Sequence, residues 1–138
     1  MRTLSRKIGG RIVAVALGAV LVTAALAMAQ APGPWTAPVA EKSKKSPLPP
    51  SPKAVADGKK VAQVNCVSCH GVSGKGDGAA AVALNPKPAD WTSSRVQDEP
   101  DGELFWKISN GRGPMPPWKH LPENERWSVI QYIRSLKK

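Results

Sequence analysis

The chain predicts an all-α fold, with helices separated by glycine- and proline-rich loops. Three observations carry this expectation. Apolar residues recur at helical spacing along the C-terminal segment, no stretch alternates as a half-buried strand does, and 12 glycines and 14 prolines cut the remainder into short pieces.

The elements follow in order. Ser51 before Pro52 is an N-cap and first-turn pair, opening a helix through Val55, Val61 and Val64 that delivers Cys66. A loop follows from Gly71 to Asp77. A short helix covers Ala79 to Leu84 until Asn85-Pro86-Lys87-Pro88 stops it. Asp101 can cap a further helix with Leu104, Phe105 and Ile108 on its apolar side and Asn110-Gly111 at its end. In the last helix Pro122 suits the first turn. Glu123 and Glu125 there meet the positive end of the macrodipole, Arg134, Lys137 and Lys138 the negative end, and Trp127, Ile130, Ile133 and Leu136 form the apolar stripe.

The N-terminus has a different character. Arg2, Arg6, Lys7 and Arg11 precede an uncharged apolar run from Ile12 to Ala27, and Ala27-Met28-Ala29 has the small residues of an export cleavage site, with Ala29-Gln30-Ala31 as a second. Residues 1–29 are therefore expected to be a secretory signal peptide, the alternative being an uncleaved membrane anchor. Residues 30–52 are rich in proline and lysine and poor in large apolar groups, which predicts an extended spacer. Residues 53–138 remain as one domain, a size at which a protein core alone is marginal. The few aromatics there, chiefly Trp91, Phe105, Trp106, Trp118, Trp127 and Tyr132, leave room for a large apolar cofactor.

Cys66-Val67-Ser68-Cys69-His70 names that cofactor. Two thiols three positions apart, with an imidazole directly after the second, match a covalent haem attachment site. The spacing puts both sulfurs along one edge of the porphyrin, and the backbone tether holds His70 ready as the proximal iron ligand with little ordering entropy left to lose. The alternatives are a thioredoxin-like pair, which lacks a preceding strand, a zinc site using His120 as well, in which adjacent Cys69 and His70 crowd one tetrahedral ion, and a plain disulfide, which gives His70 no role.

A sixth ligand can be sought by elimination. Met1 and Met28 fall in the signal, leaving Met115 and His120. Met115 lies in Gly111-Arg112-Gly113-Pro114-Met115-Pro116-Pro117-Trp118, where prolines stiffen the loop and glycines permit a tight turn, so it is the favoured candidate over His120.

The chain at this point resembles the class I c-type cytochromes, over about Asp57 to Leu136. The likeness is carried by Gly58-Lys59-Lys60, the Cys66-to-Gly71 motif, Gly74-Lys75-Gly76-Asp77-Gly78, Asn85-Pro86-Lys87-Pro88-Ala89-Asp90-Trp91-Thr92, the Met115 loop and Tyr132-Ile133-Arg134-Ser135-Leu136. It is similar to the bacterial periplasmic monohaem members and to haem domains fused to larger enzymes. The resemblance implies one covalent haem c, with helices and loops wrapped around it and the first and last helices crossing where Gly58 comes close to Tyr132. Relatives often carry an aromatic where this chain has Ala62. The resemblance also implies a proline carbonyl on the proximal imidazole, with Pro86 the best match and Pro88 the weaker one, and Trp91, Arg95, Arg112 and Trp118 as candidates for the propionates.

A His/Met pair would fill both axial positions and leave the iron to exchange single electrons, which describes a carrier and not an enzyme. The expected partners are redox proteins: a terminal oxidase, a quinol-oxidising complex or a periplasmic dehydrogenase. The whole-chain charge of +10, less the four basic residues of the signal, leaves +6. Lys59, Lys60, Lys75, Lys87, Lys107 and Lys119 could steer docking to an acidic surface, or serve only solubility. Nucleic acid is not an expected partner. The rival functions are a sensor or peroxidase-like protein with a displaceable Met115, and a membrane-tethered subunit of a larger oxidoreductase.

Overall fold

Where Ser51 precedes Pro52, the chain does form a capped helix. The computed structural model describes residues 33–138, so the expected signal segment lies outside the described residues. Ser51 is extended, at φ −157°, and its Oγ accepts a hydrogen bond from the Ala54 N–H at 3.1 Å. We number the helices from the first described: α1 is Val39–Lys42, α2 Pro52–Asn65, α3 Val67–His70, α4 Ser94–Gln97, α5 Asp101–Asn110 and α6 Glu123–Ser135. A 3₁₀ segment covers Ala79–Ala83, where a short helix was expected. Among the described residues no strand forms, and the only bridge of strand type is Arg112 to Met115.

Helices α2 and α6 form the principal seam of the fold. Ala54, Gly58 and Ala62 recur at helical spacing on the buried face of α2, and small side chains let the two backbones approach closely. A Cβ at Gly58 would lie 1.8 Å from the Ser128 carbonyl oxygen, so the closest approach is at Ser128, one turn before the expected Tyr132. Ala62 is fully buried and belongs to the same core cluster as Trp127, Val129, Ile130, Tyr132 and Ile133 of α6. Trp127 and Ile130 are buried almost completely, and Phe105 of α5 stacks on Trp127 at 4.1 Å with planes 12° apart.

Arg134 ties the middle of the chain to α6. Its guanidinium donates to the carbonyls of Val96, Gln97 and Glu99 and to Asp101, satisfying the C-terminal end of α4 and the turn into α5. The sequence pattern gave no sign of α4, because its single turn is too short to show a period.

Residues 35–138 make one compact unit, which begins well before the expected domain start at 53. The stretch read as a spacer lies against α5. Ala37 is buried and its N–H donates to Glu103 Oε1 at 3.0 Å, while Lys42 reaches Oε2 at 3.4 Å and Lys107 reaches Oε1 at 3.3 Å. A strap of this kind needs few apolar anchors, because one buried carboxylate supplies acceptors for a backbone amide and two ammonium groups. Burial alone would raise the Glu103 pKa. The Ala37 amide, Lys107 and Lys42 outweigh it and hold the carboxyl below its ordinary range.

Candidate haem site

The attachment motif occupies a single helical turn. Helix α2 ends one residue short of Cys66, whose N–H still donates to the Ala62 carbonyl, and α3 resumes at Val67. Cys69 and His70 both donate their N–H groups to the Cys66 carbonyl, at 3.1 and 2.9 Å, so the turn places the two thiols on neighbouring positions of one face. Both are half-buried and unbridged. Burial, with Cys69 beside it, pushes the Cys66 thiol up to about 11. Among the described residues no three His, Cys, Asp or Glu side chains cluster closely enough to share an ion, which removes support from the zinc reading.

His70 is buried, and its Nδ1 lies 3.1 Å from the Ala89 carbonyl. Burial lowers its pKa, opposed in part by that carbonyl, which favours the neutral ring; a carbonyl only accepts, so Nδ1 carries the proton and the neutral ring keeps its lone pair on Nε2. The carbonyl partner corrects the expected Pro86. Pro86 is exposed at the stop after the 3₁₀ segment, and Lys87 ties this stop back by donating to the Ala81 and Val82 carbonyls. The chain turns inward only afterwards, where the Trp91 N–H donates to the Gly74 carbonyl at 2.7 Å. Ala89 is what faces the imidazole.

The Met115 loop is closed at both ends. Gly111 ends α5 at φ +61°, a conformation that needs glycine, and Arg112 and Met115 exchange backbone hydrogen bonds at 2.9 and 3.1 Å. At the far end the Trp118 N–H donates to the Ile108 carbonyl. Met115 is half-buried and packs against the same core cluster as Cys66, Ala89 and Trp118. His120 is exposed, its ring 5.4 Å from Trp118.

Of the residues considered for the propionates, Trp91 is buried against His70, Arg95 is exposed on α4, and Arg112 and Trp118 are half-buried in the Met115 loop. Of the six lysines, Lys87 and Lys107 are engaged within the fold, Lys107 with Glu99 and Glu103. Lys59, Lys60, Lys75 and Lys119 remain on the surface. Ala89 gave no sequence signal, because it acts through its backbone; the buried acid Glu103 gave none either, because an acidic residue in a first helical turn reads as ordinary dipole compensation.

The family model described as cytochrome c oxidase, cbb3-type, subunit III matches residues 53–133. The chain belongs to this family of c-type cytochromes. In structure the cytochrome is similar to a chain of the Kuenenia stuttgartiensis reducing HAO-like protein complex, with a TM-score of 0.60 and 30% identity, over 67% of this chain and 48% of that one. It thus spans about half the length of that relative. Among curated proteins no match is found. The cytochrome has the small all-α fold that the resemblance implied, and its cofactor is covalently attached haem c. The donor set fits: two unbridged thiols on one turn, a neutral imidazole with one nitrogen free for iron, and a thioether on a stiffened loop.

Proposed function

We propose that this cytochrome is an exported one-electron carrier, its single haem joined to Cys66 and Cys69 and ligated by His70 and Met115. The observation that carries the reading is the state of His70: buried, with Nδ1 spent on the Ala89 carbonyl, it offers Nε2 alone, as a proximal ligand must. The haem supplies reversible one-electron exchange. The chain does the rest. The attachment turn fixes the thiols, the strand of loop from Pro88 to Trp91 orients the imidazole, and the closed Met115 loop presents a soft sulfur that favours the ferrous state. That ligand pair belongs in the upper part of the roughly 0.8 V range that haem ligation spans.

The N-terminal pattern of charge, apolar run and small residues supports export to the periplasm, or retention on the outer face of the cytoplasmic membrane if residues 1–29 stay attached. Redox proteins are the partners, and the four surface lysines favour an acidic docking face. A second reading, a haem-bearing subunit of a larger oxidoreductase, draws support from the family described as an oxidase subunit and from the relative found in a complex. An intact N-terminus in purified membranes, together with co-purifying chains, would favour it.

Carbon monoxide binding to the ferrous protein tests the ligation. The wild type should bind none, and Met115→Ala should bind it readily. A wild type that already binds carbon monoxide would move the protein to the sensor or peroxidase-like class.

A further inference from the structure

The imidazole of His70 has a second restraint besides its hydrogen bond. The Trp91 ring lies 4.6 Å from it, centroid to centroid, with planes only 23° apart. This is a stacked contact at the close end of the usual range. The Ala89 carbonyl fixes where Nδ1 points, yet a ring held at one atom can still rock about that bond. An indole lying on its face removes the rocking.

Trp91 is itself held far more firmly than a space-filling side chain requires. Its N–H donates to the Gly74 carbonyl, and its own carbonyl accepts from Gln97 Nε2 at 2.7 Å. The same Gln97 nitrogen donates to the Ile133 carbonyl of α6 at 2.8 Å, so the main helix of the fold backs the contact. Across the indole, Tyr132 packs edge-on at 6.2 Å and 88°. Burial of both Trp91 and Gln97 keeps water out of these bonds.

We infer that Trp91 is a positioning residue that fixes the plane of the His70 imidazole, with Gln97 of α4 tying it to α6. The inference rests on the proposal that His70 binds the haem iron. Outer groups of this kind orient a ligand without touching the metal, and the orientation of an axial imidazole decides how unpaired spin spreads over the four quadrants of a ferric porphyrin. The four haem-methyl proton resonances report that distribution directly.

The test is the proton NMR spectrum of the ferric holoprotein for the wild type, Trp91→Leu, Trp91→Phe and Gln97→Met, with thermal unfolding recorded alongside. Trp91→Leu should change the order or spread of the methyl shifts, Gln97→Met should change them less, and Trp91→Phe, which keeps a stacking ring, should restore the wild-type pattern. A Trp91→Leu protein with a lower Tm but the wild-type methyl pattern would make Trp91 ordinary core and overturn the inference. If Trp91→Leu yields no folded holoprotein, Gln97→Met decides in the same way, an unchanged pattern overturning it. Failure of the underlying ligation looks different, because the wild type itself would then lack the low-spin ferric spectrum of a histidine-bound haem.

Discussion

Gly58→Ala is the sharpest test of the packing that holds the attachment turn. The added methyl would lie 1.8 Å from the Ser128 carbonyl oxygen, 2.3 Å from its carbon and 2.9 Å from the Val129 nitrogen. All three are backbone atoms of α6, so no side-chain rotation relieves the clash. The helices must separate by about 1 Å or more, which pulls Ala62 off its contacts and loosens the seam that leads directly to Cys66. Overpacking usually costs about 1–3 kcal/mol, and an unyielding backbone puts this case at about 3 kcal/mol, against a helix-propensity gain of about 1 kcal/mol for alanine over glycine. The net loss of about 2 kcal/mol is about 10 °C in Tm for a domain of this size. Guanidinium unfolding of the holoprotein, followed by far-UV circular dichroism, reads it. A variant as stable as the wild type, or more so, would show that the α2–α6 contact is looser than described.

Three further outcomes follow from named contacts. Arg134→Met keeps the aliphatic stem but strands the Gln97 and Glu99 carbonyls; a loss of about 3 kcal/mol in the same titration is expected, and a loss under 1 kcal/mol would mean these groups find other partners. Glu103→Gln should cost about 2 kcal/mol at pH 7, since Lys42 and Lys107 lose a buried counter-charge. The Glu103 carboxyl titrates below its ordinary 4.5 in the folded chain, so the unfolded chain binds the proton more readily; the gap between wild type and variant should therefore be full above that pH and shrink as pH falls through the folded value. A gap that stays constant from neutral to acid pH would contradict the strap.

Much of this molecule was legible in the sequence, and what was not has physical causes. Ser51 before Pro52 marked the start of α2 because capping is a local interaction. Likewise Trp127, Ile130 and Ile133 marked α6, since a stripe of that length has a readable period. Asp101 and Pro122 each stood one position from their expected roles: Pro100 and Pro122 are the N-cap residues and Asp101 is already helical, as caps of this kind use backbone direction and not a side-chain bond. The strap from Trp35 to Lys42 was missed because its proline content reads as a spacer, while the group that holds it, Glu103, is distant in sequence. The attachment turn and Met115 were visible as residue types with known chemistry. Ala89, acting through a carbonyl, and Trp91, acting by position, were not, because neither role depends on a local pattern.

The proposed carrier requires one haem bound covalently by Cys66 and Cys69 and ligated by His70 and Met115. The first measurement is the optical spectrum of the ferric holoprotein, taken before and after acid-acetone extraction. Haem should stay with the polypeptide, and a weak sulfur-to-iron band in the red region should be present in the wild type and lost in Met115→Ala. Haem that extracts into the solvent, or retained haem with no such band in the wild type, would contradict it.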